Sequence, residues 1–168
     1  TGMTVNGKLL ANGTEESPVR FTSKEPTPLP GDWGNLELNG PDNVLTYLYY
    51  DYATDGITGS NVDRTIIDHI RVYGTLSLSA NGIVFSESEY LTITNNIIST
   101  SGTYGIKANG ALRSVVIGNT ISGGYDQSGI YMDECDGCVF LDNDINNNPQ
   151  IGIRSFHSDS VLFKNNNI

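Results

Sequence analysis

Short bursts of alternating apolar and polar residues recur along this chain. They read LTITNNI at 91–97, VVIGNTI at 115–121, VFLDNDI at 139–145 and VLFKNNN at 161–167. Successive side chains of a strand point to opposite faces, so alternation in segments rich in Val, Ile, Thr and Tyr predicts strands rather than helices. The dipeptide Gly-Ile runs about ten residues ahead of each burst, at Gly82-Ile83, Gly105-Ile106, Gly129-Ile130 and Gly152-Ile153. An earlier copy stands at Gly56-Ile57, and the successive steps are 26, 23, 24 and 23 residues. Each burst carries an asparagine, read in register as Asn95, Asn119, Asn143 and Asn165 with steps of 24, 24 and 22. Two motifs that travel together at a fixed offset mark an internal repeat.

Two or three short strands per repeat cannot enclose a core alone. Stacking one repeat on the next buries the inward side chains and lets the backbone of each coil bond to its neighbours. The expected fold is all-β: a single-stranded parallel β-helix of about seven coils, a solenoid roughly 35 Å long at ~4.8 Å per coil. A leucine-rich repeat would show Leu-x-x-Leu-x-Leu and a propeller blade about 40 residues per unit, and neither pattern is present. Residues 1–168 read as one domain, with regular coils over 61–168 and irregular ones over 1–60. Five of the six prolines lie between Pro18 and Pro41, and residues 24–32 read as a Pro-rich excursion from the coil. Around it Val19 and Phe21 alternate, as do Leu36 and Leu38, before a tyrosine-rich strand pair from Val44 to Tyr52. Val62, Ile66, Ile70 and Tyr73 have helical spacing, but Ile70 and Val72 alternate and the β-branched content favours strand. With no amphipathic capping helix at either end, the ends are expected to be uncapped, as in a piece of a longer protein or a unit that stacks end to end on copies of itself.

Composition narrows the partners. Lys plus Arg total 9 against 19 for Asp plus Glu, a formal charge of −10, so the clustered cations that neutralise nucleic-acid phosphates are missing. Charged residues make up 17%, too few for a charge-rich disordered tail or a coiled coil. In their place stand 19 Gly and 18 Asn, the turn formers that a many-cornered solenoid needs. No stretch approaches the ~18 apolar residues of a membrane span, so no membrane insertion is expected.

Alternation also assigns faces. With Ile106, Ile130 and Ile153 inward, Lys107, Tyr131 and Arg154 point outward, and so do Asn109, Asp133 and Phe156. Stacking turns each trio into a ladder, with Glu134 and His157 at the adjoining corner. Earlier coils add Glu37 and Asn39, Thr58 and Ser60, then Val84 and Ser86. Aromatic faces beside planar polar groups suit a sugar ring, and a cation beside a carboxylate suits an acidic glycan. The glycan-binding candidates are therefore Lys107, Asn109, Tyr131, Asp133, Arg154, Phe156 and His157, and the catalytic candidates are Lys107, Asp133 and Arg154. A plain solvated face would be polar as well. The series Asn95, Asn119, Asn143 and Asn165 is expected to be structural, its stacked amides bonding to one another and pinning a corner.

Other motifs carry less. Asp133, Glu134, Asp136, Asp142 and Asp144 invite a Ca²⁺ reading, but no DxDxDG loop is present and the last two fall in the other strand element. Solvated acids are expected there and no metal site is assigned. Cys135 and Cys138 form a CxxC with no second pair or His couple for zinc, leaving a local disulfide or two partly buried thiols. Asp68-His69 reads as part of a wall strand, with His69 at the position of the asparagine series. Asn12-Gly13-Thr14 is a glycosylation sequon, and no Gly-x-Ser-x-Gly, P-loop or dinucleotide fingerprint occurs.

Residues 12–38, NGTEESPVRFTSKEPTPLPGDWGNLEL, resemble the opening of secreted bacterial and archaeal right-handed parallel β-helix proteins, where Gly-Thr, Pro-Val-x-Phe-Thr-Ser and Gly-Asp-Trp-Gly-Gly-Ile are common. TIIDHIRVYG at 65–74 and the Gly-Ile and Asn-Asn coils extend the likeness over nearly the whole chain, with a departure at Asn35-Leu36, where Gly-Ile is usual. The resemblance implies the right-handed, pectate-lyase-like superfold and an extracellular or cell-surface setting. It implies no single reaction, since the family takes in polysaccharide lyases, hydrolases and epimerases, phage tailspikes and surface proteins without known activity. In the lyases a Lys or Arg serves as base and Ca²⁺ neutralises the uronate, so Ca²⁺ is the one cofactor the resemblance brings in. The resulting expectation is a rigid extracellular scaffold whose partner is a polysaccharide or cell-surface glycan. A carbohydrate-active enzyme with Lys107, Asp133 and Arg154 converging in a groove, and a self-assembling filament unit, are the alternatives.

Overall fold

The computed structural model describes residues 2–75, 80–99, 102–123, 127–147 and 150–168, and among them every regular element is a β-strand. The strands form three parallel sheets, two of seven strands and one of six. Each strand pairs with the strand three places along the chain, so every coil gives one strand to each sheet. Six coils are complete and a seventh supplies two strands. The first sheet runs from Met3–Val5 through Leu36–Leu38, Ile57–Ser60, Asn81–Ser86, Tyr104–Asn109 and Ser128–Asp133 to Ile151–Phe156. The second begins at Leu10–Asn12 and ends at Leu162–Lys164, and the third begins at Val19–Phe21 and ends at Asp144–Asn146. The ambiguous window resolves as two strands, Ile66–Asp68 and Arg71–Tyr73.

Inward residues from the three sheets meet on the axis. Ile57, Ile83, Ile106 and Ile130 come from the first sheet, Leu45, Ile67, Ile93 and Phe140 from the second, and Leu48, Val72, Ile98 and Ile121 from the third, and all are buried. Fully burying an aliphatic side chain of this size contributes about 1.5–3 kcal/mol, so the stacked columns are the main source of stability. Among the described residues Tyr50 is the one tyrosine buried in the core. Its hydroxyl accepts from Leu36 N–H and lies within hydrogen-bond reach of the Asp55 and Gly56 carbonyls. Burial pushes that phenol well above its ordinary range.

The Gly-Ile repeat has a steric cause. A Cβ on Gly56 would sit 1.9 Å from the Gly82 carbonyl oxygen, and one on Gly82 would sit 2.4 Å from that of Gly105. The coils approach each other too closely at this point for any side chain.

The asparagine register read from the bursts needs correction at two of its four positions. The stacked amides are Asn96, Asn119 and Asn143, all buried, and the half-buried Asn166; the oxygens of the last three each accept from the backbone N–H and side-chain amide of the asparagine one coil earlier, and that of Asn96 accepts from Ile70 N–H. Asn95 and Asn165 lie one residue before, in the left-handed conformation with φ of 55° and 56°. Asn tolerates that conformation better than most residues, and this is the reason for asparagine there. His69, φ 52°, matches Asn95 and not the ladder, whose place in that coil is taken by Ile70.

The Pro-rich excursion is held by the Asp32 carboxylate, which accepts from Ser23 Oγ at 2.5 Å and Leu29 N–H at 2.9 Å. Trp33 anchors its return, donating from Nε1 to the Asp51 carbonyl at 2.8 Å. At the corner between the first and second sheets, Cys135 and Cys138 are joined in a disulfide and both are buried. Chain-entropy arithmetic for so short a loop gives about 2 kcal/mol of stabilisation. Melting under reducing conditions is therefore expected to fall by about 4–8 °C, and a Cys135→Ala/Cys138→Ala variant melting no lower than wild type would show that the cross-link contributes nothing.

Candidate functional site

The outer face of the first sheet carries the predicted ladders in the predicted register. Lys107 pairs with Tyr131 and Tyr131 with Arg154, while Asn109 pairs with Asp133 and Asp133 with Phe156. The earlier coils continue the row, Glu37 to Thr58, Thr58 to Val84 and Val84 to Lys107. Strand pleating with parallel, in-register pairing makes these residues neighbours ~4.8 Å apart.

Their side chains interlock. Lys107 Nζ lies 5.0 Å from the centre of the Tyr104 ring and 5.7 Å from that of Tyr131, and the two rings are 5.1 Å apart. Tyr131 is in turn 6.0 Å from Phe156, over which the Arg154 guanidinium sits at 4.7 Å. His157 Nδ1 is 2.8 Å from Asp133 Oδ1. Cations over ring faces are worth about 0.5–1 kcal/mol each at exposed sites, enough to orient them. Burial, then the charge of Asp133 and the presence of Tyr104, raise the Tyr131 phenol above its ordinary range. Its hydroxyl therefore stays a neutral donor and acceptor. The result is a strip of three aromatic rings flanked by two cations and closed at one corner by a carboxylate–imidazole pair.

Six of the seven predicted residues are in this strip, and Asn109 stands exposed beside Asp133 without joining the ring contacts. Tyr104 is an addition that alternation does not predict. Strict alternation from Ile106 would turn it inward, but Gly105 and Ile106 are both buried, so the alternation shifts at the glycine and Tyr104 comes out on the open side. Towards the earlier coils the same face holds a shallow cavity of about 220 Å³ lined by Glu37, Thr58, Ser60, Val84 and Ser86. Among the described residues no three His, Cys, Asp or Glu side chains converge as a metal site would require. Asp133 faces His157, Asp136 accepts from Asp159 N–H and Asp144 from Asn167, so these acids are spread along the rod.

A family model described as right-handed β-helix region matches residues 42–168. No curated protein matches the chain. Among solved structures, a protein named as a candidate glycosyl hydrolase from Parabacteroides merdae is similar with a TM-score of 0.66 and 14% identity, over 96% of this chain and 82% of its own. An alginate lyase from Paenibacillus sp. str. FPU-7 is similar with a TM-score of 0.55 and 20% identity, over 94% of this chain and 66% of its own. At such identities the likeness is one of fold.

Proposed function

Because this chain belongs to the right-handed β-helix family, we propose that it is an extracellular or cell-surface module that presents the outer face of its first sheet to an acidic polysaccharide. The observation that carries this reading is the interlocked ladder of Tyr104, Lys107, Tyr131, Arg154 and Phe156. Flat rings offer stacking surface to pyranose rings, and the two cations offer charge-assisted bonds to their carboxylates. A rigid coil repeat also suits a polymer, whose own repeating units then meet a long, straight face. The names of the two structural neighbours, a candidate glycosyl hydrolase and an alginate lyase, agree with a carbohydrate polymer as the occupant.

A carbohydrate-active enzyme is the second reading. It is favoured by the 2.8 Å pair of His157 and Asp133 at the end of the strip, since an imidazole oriented by a carboxylate is a group able to move protons. A glycan array and a depolymerisation assay on wild type, Lys107→Ala and Arg154→Ala separate the two. Binding to uronate polymers is expected to weaken about tenfold in each variant, the loss of one charge-assisted contact. Undiminished binding in both removes the face from consideration. Oligosaccharide product made by wild type and lost in both variants establishes the enzyme.

A further inference from the structure

We propose that the corner between the second and third sheets forms a second, separate ligand site that takes a small hydroxy acid by its carboxylate. Three successive coils meet there, presenting Tyr47 and Tyr49, then His69 and Arg71, then Asn95 and Ile97, and with Glu15 and Pro18 they line a cavity of about 480 Å³. That volume lies within the range of small-molecule sites, about 300–1,000 Å³. In the next two coils the register places Thr120 and Asp144 after Ile97, so the cationic character is confined to one stretch of the rod.

Both the His69 ring and the Arg71 guanidinium are braced twice. The His69 ring stacks on Tyr47 at 4.8 Å, and its Nδ1 lies 2.7 Å from Asp68 Oδ2. Asp68 is fixed in turn through its other oxygen, which accepts from Thr94 Oγ1 at 2.6 Å and Asn95 Nδ2 at 3.0 Å. Burial acts to raise the Asp68 carboxyl, but the bonds from Thr94, His69 and Asn95 together outweigh it and hold the group below its ordinary range. Arg71 lies over Tyr49 at 4.5 Å and donates from Nη2 to Asp51 Oδ2 at 2.8 Å. Arg20 covers the same tyrosine at 4.8 Å, bringing a second guanidinium to this edge.

Stability does not account for the arrangement. The Asp51 side chain is only 7% exposed while that of Arg71 is 42% exposed, and Asp51 Oδ1 and Arg71 Nε have no hydrogen-bond partner among the described residues. A half-satisfied pair of this kind recovers little of the cost of desolvating its carboxylate. What the bracing does achieve is orientation: His69 Nε2 and the outer Nη edge of the half-exposed Arg71 guanidinium are left for an occupant, in fixed directions. A planar guanidinium so held matches a carboxylate. Asn95 adds an amide, Ile97 and Pro18 give apolar surface for a carbon skeleton, and Glu15 on the rim accepts from hydroxyls while repelling a second acid group. These features select one carboxylate at one end and hydroxyls at the other.

The site does not depend on the first-sheet face, and the test keeps the two apart. Isothermal titration is carried out with D-glucuronate and, as the neutral control, D-glucose, on wild type, Arg71→Met, His69→Asn and Lys107→Ala. Asn keeps the left-handed conformation of residue 69 accessible. Glucuronate is expected to bind wild type and Lys107→Ala alike, to bind Arg71→Met and His69→Asn at least tenfold more weakly, and glucose to bind none. If Arg71→Met does not fold, because Asp51 is left buried without its partner, His69→Asn decides alone. Absence of glucuronate binding to wild type, equal binding of glucose, undiminished binding to His69→Asn, or loss confined to Lys107→Ala each overturns the proposal.

Discussion

Asn119→Ala is expected to lower the melting temperature by about 8–16 °C, from a loss of about 4 kcal/mol. The side chain is fully buried, and its Oδ1 accepts from Asn96 N–H at 3.0 Å and from Asn96 Nδ2 at 2.9 Å. Its Nδ2 lies 3.0 Å from the Ile93 carbonyl and 3.0 Å from Asn143 Oδ1. Truncation leaves a backbone N–H, a carbonyl and two amide groups short of partners where water has poor access. Each unsatisfied buried group costs about 1–3 kcal/mol, and relaxation of the neighbours recovers part of the total. The matching control is Asn95→Gly. Glycine keeps the left-handed turn and gives up one exposed bond to Asp68, so the cost is about 1 kcal/mol or less. Urea or thermal unfolding of the two variants side by side checks the ladder, and equal losses would place it one residue away from where it is drawn.

That one-residue question shows how far the sequence carries. The repeat, the parallel solenoid, the inward columns and the outward trios all follow from alternation combined with period, because both are properties of backbone geometry. The asparagine register does not follow, since Asn95 and Asn96 are adjacent and chemically identical while one is chosen for its backbone conformation and the other for its amide. The spacing does hold a signal. Ile70, Asn96, Asn119, Asn143 and Asn166 step by 26, 23, 24 and 23, the same steps as the Gly-Ile series, whereas steps of 24, 24 and 22 do not match it. Tyr104 escapes the pattern because Gly105 interrupts the alternation on which faces are assigned. The second corner is out of reach for another reason: its wall comes from Glu15 and Pro18, far from His69 and Arg71 in sequence, and no period links an irregular early loop to a later coil.

Gly56→Ala is expected to be comparably damaging, costing more than about 3 kcal/mol and leaving little folded protein at 37 °C. Its added methyl would meet the Gly82 carbonyl oxygen at 1.9 Å, the Asn81 carbonyl oxygen at 2.2 Å and the Gly82 carbonyl carbon at 2.7 Å. All three atoms are backbone. They cannot turn aside as a flexible side chain would, because the strand that holds them is paired with coils on both sides, to Ile57–Ser60 and to Tyr104–Asn109. Relief requires prising the coils apart, which breaks ladder bonds and opens the column of Ile57, Ile83 and Ile106 at once. Gly110 is a glycine of the opposite kind, with φ of 65° and no atom nearer than 3.6 Å to the point where a Cβ would stand. Glu87 and Glu134 in the neighbouring coils have φ of 49° and 51°. Gly110→Asn should therefore cost less than about 1 kcal/mol. A large loss for Gly56→Ala beside a small one for Gly110→Asn, read from denaturant midpoints or soluble yield, identifies close coil contact as the reason for the Gly-Ile repeat. Comparable losses at the two positions would return the explanation to backbone conformation.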